Sequence, residues 1–240
     1  MKTALRNHPD MNGILTISPD NLAGFFSKLK ATKIQIITSC TSKKTVLGDN
    51  ALTWADFEKG LEWVSRREQD NLTMPARDLY CGRQHLALIA GLSEHPEFEF
   101  DLRIVSAGYG LISGDRPIAP YDATFSGLPS KELAYRAQSL DLEVDFRTAL
   151  QETDADMTLV LLGSDYLKAV MTGSPLFAEA PTVFIGGNFN DTNVAGSNLF
   201  HIPLQNEHAV RLGAGQTWLK AVVATKILEH LNGDQKRECA

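Results

Sequence analysis

The sequence has few cysteines, no long hydrophobic run and no excess of basic residues. Its three cysteines, Cys40, Cys81 and Cys239, form no Cys-x-x-Cys pair, which argues against a disulfide framework and against a structural zinc site. A transmembrane helix needs about 20 consecutive apolar residues, and no apolar stretch of the chain is nearly that long. Residues 1–13 lack the apolar core of a signal peptide. We therefore expect a cytoplasmic protein with reduced thiols that does not contact a membrane.

Charge and histidine spacing limit the chemistry further. The chain has 23 Lys and Arg residues against 29 Asp and Glu residues, so its net charge is −6. A protein that coats nucleic acid in general would be basic, so nucleic-acid binding must use a local basic patch. The six histidines show no His-Glu-x-x-His or similar spacing. We therefore expect neither a catalytic metal nor another cofactor.

The order of apolar runs predicts the fold class. The 240 residues can bury a sizeable core, and short apolar runs alternate with amphipathic stretches. Near-continuous apolar runs are typical of strands buried on both faces of a parallel sheet. We predict an α/β fold, a single three-layer domain with a mainly parallel central sheet. The predicted strands are 33–38, 102–106, 157–162, 181–185 and 198–202.

The remaining stretches predict helices and loose ends. Apolar spacing and start signals favour a helix from Ser18 to about Lys30, with further helices that we place at 54–67, after Pro75, at 130–150 and at 215–231. The inward residues of the helix at 54–67 are predicted to be Phe57, Leu61 and Val64, and those after Pro75 to be Leu79, Leu86 and Ile89. Residues 1–13 are expected to be a flexible lead-in, and residues 232–240 a flexible tail.

Four predicted strands run into small or polar residues, in the sequences SCTSKK, SAGYG, GSDY and GGN. The carboxyl ends of parallel strands meet at one edge of the sheet, where open α/β sheets bind ligands. The longest of these segments, 103–125, joins an apolar strand to a Gly-rich turn and a two-proline segment. Small residues after strands also form plain turns, so each motif fits a simple connection as well as a site.

The segment SCTSKK offers two kinds of chemistry. Ser39, Ser42, Lys43 and Lys44 supply hydroxyls and cations that, with backbone N–H groups, can hold a phosphate. The alternative is a polar turn with solvated lysines. Cys40 is either a nucleophile whose pKa the nearby lysines lower, or a small thiol buried at the strand end.

Other candidate substrate-binding residues lie in the following segments. Tyr80, Tyr109 and Tyr121 can stack on a nucleobase or serve as core packing. Glycines at the strand ends are expected to leave room for a bulky base. These glycines are Gly108, Gly110, Gly186 and Gly187. The remaining candidates for substrate binding are Arg77, Ser106 and Asn188.

Three residues are candidates for the catalytic group. Asp122 ranks first because Pro120, two residues before it, restricts the backbone that aims its carboxylate. Asp165 lies near a predicted helix start, where capping also explains a carboxylate. His201 lies late in the fifth predicted strand, where a core histidine is the alternative.

Three ordered motifs, SCTSKK, ARDLYCGRQH and SAGYGLISGDRPIAPYDATF, resemble a bacterial and phage domain family of unknown function across about residues 33–125. The pattern is also similar to peroxide-stress proteins of the YaaA type and to a domain of archaeosine synthase. That resemblance implies a fold like that of uracil-DNA glycosylases, and it places Cys40 and Lys43 on the Cys and Lys of the motif. Because Lys44 and Thr45 replace its Pro-Tyr run, a nucleophilic role of the lysine is not implied.

The chain also resembles phage-defence DNA glycosylases that remove glucosylated hydroxymethylcytosine. The Gly-Gln-Asp-Pro-Tyr motif of uracil excision is absent. The resemblance therefore implies antiviral defence and a modified base in double-stranded DNA as the substrate.

Three functions remain open at this point. The first is a DNA glycosylase, a hydrolase in which Asp122 stabilises the positively charged sugar and the base is flipped out of the helix. The second is a base-exchange or amidotransfer enzyme that acts through Lys43 or Cys40. The third is a non-catalytic nucleic-acid-binding module with a focused basic patch.

Overall fold

The computed structural model describes residues 14–46, 50–172, 175–187 and 198–232. The lead-in at 1–13, tail residues 233–240 and the candidate Asn188 lie outside the described residues. The strands are β1 Leu15–Thr16, β2 Lys33–Ser39, β3 Leu52–Thr53, β4 Met74–Pro75, β5 Glu99–Ser106, β6 Gly110–Ser113, β7 Pro117–Ile118, β8 Tyr121–Asp122, β9 Met157–Leu161, β10 Thr182–Ile185 and β11 Leu199–Ile202. The helices are α1 Leu22–Phe26, α2 Trp54–Phe57, α3 Leu61–Gln69, α4 Ala76–Leu79, α5 Arg83–Ser93, α6 Ser130–Ser139, α7 Leu142–Gln151, α8 Ser164–Val170, α9 Asn206–Arg211 and α10 Leu219–His230.

The central sheet has the strand order β1-β11-β10-β9-β2-β5-β6 in the described part of the chain. Neighbouring strands are parallel except at β5 and β6, which form an antiparallel pair. All five residues of β9 and all four of β10 are buried, as expected for strands covered on both faces. The prediction of a mainly parallel α/β sheet is confirmed.

Helices cover the sheet on both faces. Gln35 and Thr38 are three residues apart in β2, so their side chains point to opposite faces. Gln84 of α5 donates a hydrogen bond to Oγ1 of Thr38, whereas Gln35 lines a cavity together with Thr148 of α7. Helices α5 and α7 therefore lie on opposite faces, and the layers are helix, sheet and helix.

Two predicted long helices are each interrupted. The stretch at 54–67 is divided at Gly60, whose φ of 88° is left-handed and ends the helical path. The stretch at 130–150 breaks at Asp141, where φ is 51°, and its first helical residue is Ser130, with Pro129 in the capping position. These predictions were wrong about continuity because apolar spacing continues across a one-residue break in the backbone.

Two core assignments were also wrong. Leu61 is 81% exposed and Leu86 is 55% exposed. The segment after Pro75 forms the single helical turn α4 and then the separate helix α5, whose buried face differs from the predicted one. The buried residues of α5 are His85, Leu88, Gly91 and Leu92.

The outer helices at the two ends of the chain are shorter than predicted. The first ends at Phe26 instead of Lys30, and the last begins at Leu219 instead of Gly215. No helix in the described ranges combines the length and apolar character needed to cross a membrane.

The segment that follows β5 is folded and not an open loop. Strand β6 returns antiparallel to β5, β7 pairs with β4, and β8 pairs with β3. The last pairing places Asp122 opposite Thr53. The segment therefore covers the end of β5 with its own strands.

Candidate functional site

The chain changes direction across the sheet between β2 and β9. From β2 it moves to β5 on one side, and it later returns to β9 on the other side of β2. Such a switch point opens a crevice beyond the strand ends, the usual ligand site of open α/β folds. Cys40 directly follows β2, Tyr166 lies in α8 after β9, and their Sγ and hydroxyl oxygen are 3.1 Å apart. We call this region, between Cys40 and residues 163–166, the switch-point crevice.

A buried group of hydroxyls adjoins Cys40. The hydroxyl of Tyr121 lies 2.8 Å from Oγ of Ser106 and 2.9 Å from the hydroxyl of Tyr80. Burial, reinforced by the charge of Cys40, raises the pKa of the three tyrosines at 80, 121 and 166 well above the usual value. These hydroxyls therefore stay protonated at neutral pH and hold the strand ends together by hydrogen bonds.

Lys44 covers this hydroxyl group on one side. Its Nζ lies 4.3 Å from the centre of the Tyr121 ring, and a backbone bridge to Tyr80 fixes its position. Burial lowers the pKa of Lys44, although the charges of Cys40 and Asp122 act in the opposite direction. Lys43, by contrast, is exposed. The two lysines of SCTSKK therefore have different environments, which their adjacent positions in the sequence do not reveal.

The three candidate catalytic residues are not all brought together. Asp122 is exposed and close enough to Lys44 to influence its pKa. Asp165 lies in the first turn of α8, where it accepts a hydrogen bond from the N–H of Gly127 and pairs with Lys168. His201 lies in β11, three strands from β2, which is roughly 14 Å at normal strand spacing. Of the two candidate carboxylates, Asp122 is the more exposed.

Two of the three candidate stacking residues are covered. Tyr80 is 1% exposed and Tyr121 is 0% exposed, so neither ring offers a face to a base. Tyr109 is partly buried. Its ring packs against the ring of Phe57 and makes a cation–π contact with the guanidinium of Arg116. Of these three tyrosines, only Tyr109 is partly exposed to solvent.

Ser106 is also a structural residue. Its buried Oγ accepts hydrogen bonds from the N–H groups of Gly108 and Tyr109. Ser39 is half-buried at the end of β2, and Ser42 is exposed in the following turn. Among Ser39, Cys40 and Ser42, Cys40 alone is buried, and its Sγ contacts the buried hydroxyl of Tyr166.

The glycines at the strand ends do not leave the expected space. A Cβ atom on Gly108 would overlap the ring of Phe57, and one on Gly187 would lie 2.5 Å from Cδ1 of Leu167. Gly110 adopts a φ of 76° close to the carbonyl of Leu140. These glycines allow close packing, and the expectation that they make room for a base was wrong.

Arg77 does not belong to the crevice. Its backbone N–H bonds to Gly114, whose own N–H bonds to the carbonyl of Leu102, four residues before the end of β5. That position is roughly 13 Å back along the strand. The guanidinium forms an ion pair with Asp115, so its charge is already engaged.

The structure adds two residues that the sequence pattern did not single out. Lys220 in α10 donates a hydrogen bond from Nζ to the carbonyl of Leu162 over 2.7 Å, and burial lowers its pKa to about 8. Gln84 in α5 donates to the carbonyl of Leu161 over 3.1 Å. Both side chains come from helices far from β9 in the sequence, and no local motif marks them.

A cavity lies at the other end of the central sheet. The cavity, of about 350 Å³, is lined by Gln35, Asp101, Arg103, Asp145, Glu152 and Asp154, among others. It lies beside the first halves of β2 and β5, at the opposite end from Cys40. In the described ranges, no three His, Cys, Asp or Glu side chains converge as metal ligands.

A sequence model for a family of unknown function, DUF6884, matches residues 64–183, half of the chain. The chain belongs to this family. The matched DUF6884 region runs from α3 to β10 and includes Tyr121, Asp122 and Tyr166, but not Cys40 or Lys220. No curated protein and no solved structure matches the chain.

Proposed function

We propose that this protein is a DNA glycosylase that hydrolyses the bond between deoxyribose and a modified base and leaves an abasic site. The observation that carries the proposal is the position of Asp122, an exposed carboxylate close enough to the half-buried Lys44 to influence its pKa. Breaking the N-glycosidic bond builds positive charge on the sugar. A fixed carboxylate beneath the sugar stabilises that charge and orients the attacking water.

The distribution of cations supports a nucleic-acid substrate. Lys43, Lys44 and Arg83 lie at the carboxyl edge of the sheet or at the helix start beside it. This concentration contrasts with the net charge of −6 for the whole chain. Phosphate contacts supply much of the affinity of DNA-binding proteins. A local group of cations at this edge is therefore sufficient for DNA binding by an acidic protein.

The proposed reaction also requires the base to leave the helix. Enzymes that act on a base flip it into a pocket, where it is read by stacking and hydrogen bonds. Tyr109 is the part-exposed aromatic residue at the end of β5, and Gln84 supplies an amide at the end of β9. With the three-layer parallel architecture, this arrangement supports the proposal of a fold like that of uracil-DNA glycosylases.

The test is a screen of double-stranded DNAs that contain uracil, hydroxymethylcytosine or glucosylated hydroxymethylcytosine. Released base is measured by mass spectrometry, and abasic sites are measured by alkaline strand cleavage. We expect release of a modified base and little release of uracil. Tight, steeply salt-dependent binding without any released base contradicts the proposal and favours a nucleic-acid-binding module.

A second candidate function is covalent base exchange through Lys44. The lowered pKa of Lys44 increases the fraction of free amine, which is the nucleophilic form. In this reaction the amine displaces the base at C1′, and an incoming base then displaces the amine. A protein–DNA adduct on a denaturing gel that Lys44→Gln abolishes, and that the exposed-site control Lys43→Gln retains, favours this reaction over hydrolysis by water.

A further inference from the structure

The amine of Lys220 lies beside two glycines at the ends of β9 and β10. Its Nζ donates to the carbonyl of Leu162 over 2.7 Å. A Cβ atom added to Gly163 would have this Nζ, at 4.0 Å, as its one neighbour within 4 Å among the described residues. A Cβ added to Gly186 would lie 3.1 Å from Cε of Lys220. Two residues without side chains therefore border the amine.

In the described ranges, Lys220 has no carboxylate partner. An ammonium group carries three N–H donors, and the bond to Leu162 uses one of them. Asp165 of α8, which also follows β9 in the chain, pairs with Lys168. The pKa of Lys220 is lowered to about 8 by burial alone. A buried cation without a counter-ion destabilises a fold, and such groups in clefts are frequently functional.

The elements around Lys220 carry few titratable groups. Helix α1 and strands β9 and β10, which contact α10, contain none in their sequences. Helix α5, which packs against α10, carries Arg83 and His85, and the titratable side chains of α8, the helix that follows β9, are Asp165, Tyr166 and Lys168. Arg83 stacks on Trp218, and no shift of the Lys220 pKa arises from any of these groups.

Lys220 lies at the end of β9, and Asp122 belongs to the segment that follows β5 on the other side of β2. Leu161 pairs in register with Thr38, so Gly163 is level with Cys40 across the crevice. Gln84 bonds to Leu161 and Lys220 bonds to Leu162, which places both side chains on the α5 and α10 side. Asp122 directly follows Tyr121, whose hydroxyl lies 2.8 Å from Oγ of Ser106 at the end of β5, so Asp122 lies on the β5 side. A substrate in the crevice would thus have a carboxylate on one side and an ammonium on the other.

We propose that Lys220 is a catalytic residue that donates a proton to the departing base, an inference that rests on the proposed glycosylase function. The bond from C1′ to the base nitrogen breaks, and its electron pair leaves with the base. An N–H proton of Lys220 passes to the base, while the oxygen of water bonds to C1′ and its proton passes to Asp122. Exchange with solvent then restores both groups, so the products are free base and the abasic sugar.

The experiment measures single-turnover excision against pH with the modified DNA that the screen identifies. The variants are Lys220→Met, Lys220→Arg and the control Lys226→Met on the same helix. In the wild type we expect the rate to fall about tenfold per pH unit above about 8. Lys220→Met should lose on the order of 10²–10³ in rate near pH 7, with DNA binding unchanged. Lys220→Arg should lose about as much rate as Lys220→Met, because a guanidinium does not release its proton, and a retained rate would show that residue 220 supplies only charge.

A second measurement covers the case in which the arginine variant does not fold. A fluorinated form of the substrate base is a better leaving group and needs less protonation as it departs. This substrate should restore much of the rate of Lys220→Met and little of the rate of Asp122→Asn. Excision by Lys220→Met that equals excision by Lys226→Met overturns this inference alone. Absence of excision by the wild-type protein overturns the proposed function and the inference together.

Discussion

Gly91 of α5 lies directly against Oγ1 of Thr225 in α10, so close that a Cβ atom at residue 91 would overlap it. The absence of a side chain at residue 91 is therefore what lets these two helices approach. Their contact matters for the site because α5 carries Gln84 and α10 carries Lys220, which bond to consecutive carbonyls at the end of β9.

Gly91→Ala should lower the free energy of unfolding by about 1–3 kcal/mol, because overpacking forces the two helices apart. Urea denaturation measures the change. The second variant, Thr225→Ala, removes the overlapping oxygen, so the double variant should recover most of the loss. Equal losses in the single and double variants would show that the contact between residues 91 and 225 does not limit the packing.

Lys220→Met should raise stability near pH 7 by on the order of 1–2 kcal/mol, because it removes a buried cation. The folded protein lowers the pKa of Lys220 to about 8 from 10.5. Above pH 8 the unfolded chain therefore binds more protons than the folded protein. The wild type should gain up to about 3 kcal/mol between about pH 8 and 10.5, and the variant should not show this rise.

Urea titrations across that pH range measure the effect, with Lys226→Met as the matched variant. Lys226→Met should change stability by no more than about 0.5 kcal/mol. A loss of stability in Lys220→Met near pH 7 would mean that the hydrogen bond to Leu162 outweighs the cost of burying the charge.

Asp122→Asn should reduce the excision rate by on the order of 10²–10³, because it removes one preorganised charge while keeping the shape of the side chain. DNA binding should persist, since phosphate contacts supply much of the affinity. Single-turnover kinetics and a binding titration measure the two effects. Asp70→Asn, an exposed carboxylate at the end of α3, is the control.

Cys40→Ser should cost little in rate if water attacks the sugar. A folded Cys40→Ser variant without activity, beside an active Asp122→Asn, would transfer the chemistry to the thiol and favour the covalent reaction. Near wild-type rates in both variants would direct the next substitutions to Asp165 and His201.

The salt dependence of DNA binding should distinguish Lys43 from Arg77, two cations that the sequence analysis predicted as substrate-binding residues. Lys43→Ala should lower the slope of log affinity against log salt by about one, because Lys43 is exposed beside the crevice. Arg77→Ala should leave the slope unchanged, because Arg77 pairs with Asp115 away from the strand ends. Equal decreases in both variants would place the DNA path across α4 as well.

The strands were predictable from the sequence because burial on both faces leaves near-continuous apolar runs such as Met157–Leu161. Because parallel strands run in the same direction, their carboxyl ends could be predicted to lie at one edge of the sheet. The positions of the tyrosines were not predictable in the same way. Tyr121 is buried because β8 pairs with β3 and Phe57 packs on its ring, and those contacts join segments that are far apart in the sequence.

The candidate site was predictable in part for the same reason. Cys40 directly follows β2 and Asp122 lies in the segment after β5, so their order in the sequence indicated positions near the carboxyl ends of these strands. Lys220 reaches that edge from a helix more than fifty residues after β9, and only tertiary packing brings it to Leu162. The interruptions at Gly60 and Asp141 depend on single left-handed residues, which hydrophobic periodicity does not detect.

The position of β2 between β5 and β9 has a consequence for dissecting the protein. The region that matches DUF6884 begins at residue 64, whereas β2 ends at Ser39. A fragment cut to the matched boundaries would lose the strand between β5 and β9, and each of these two would present an uncovered row of backbone groups to solvent. Such a fragment is a poor choice for expression, because the recognised segment and the unit that folds have different borders.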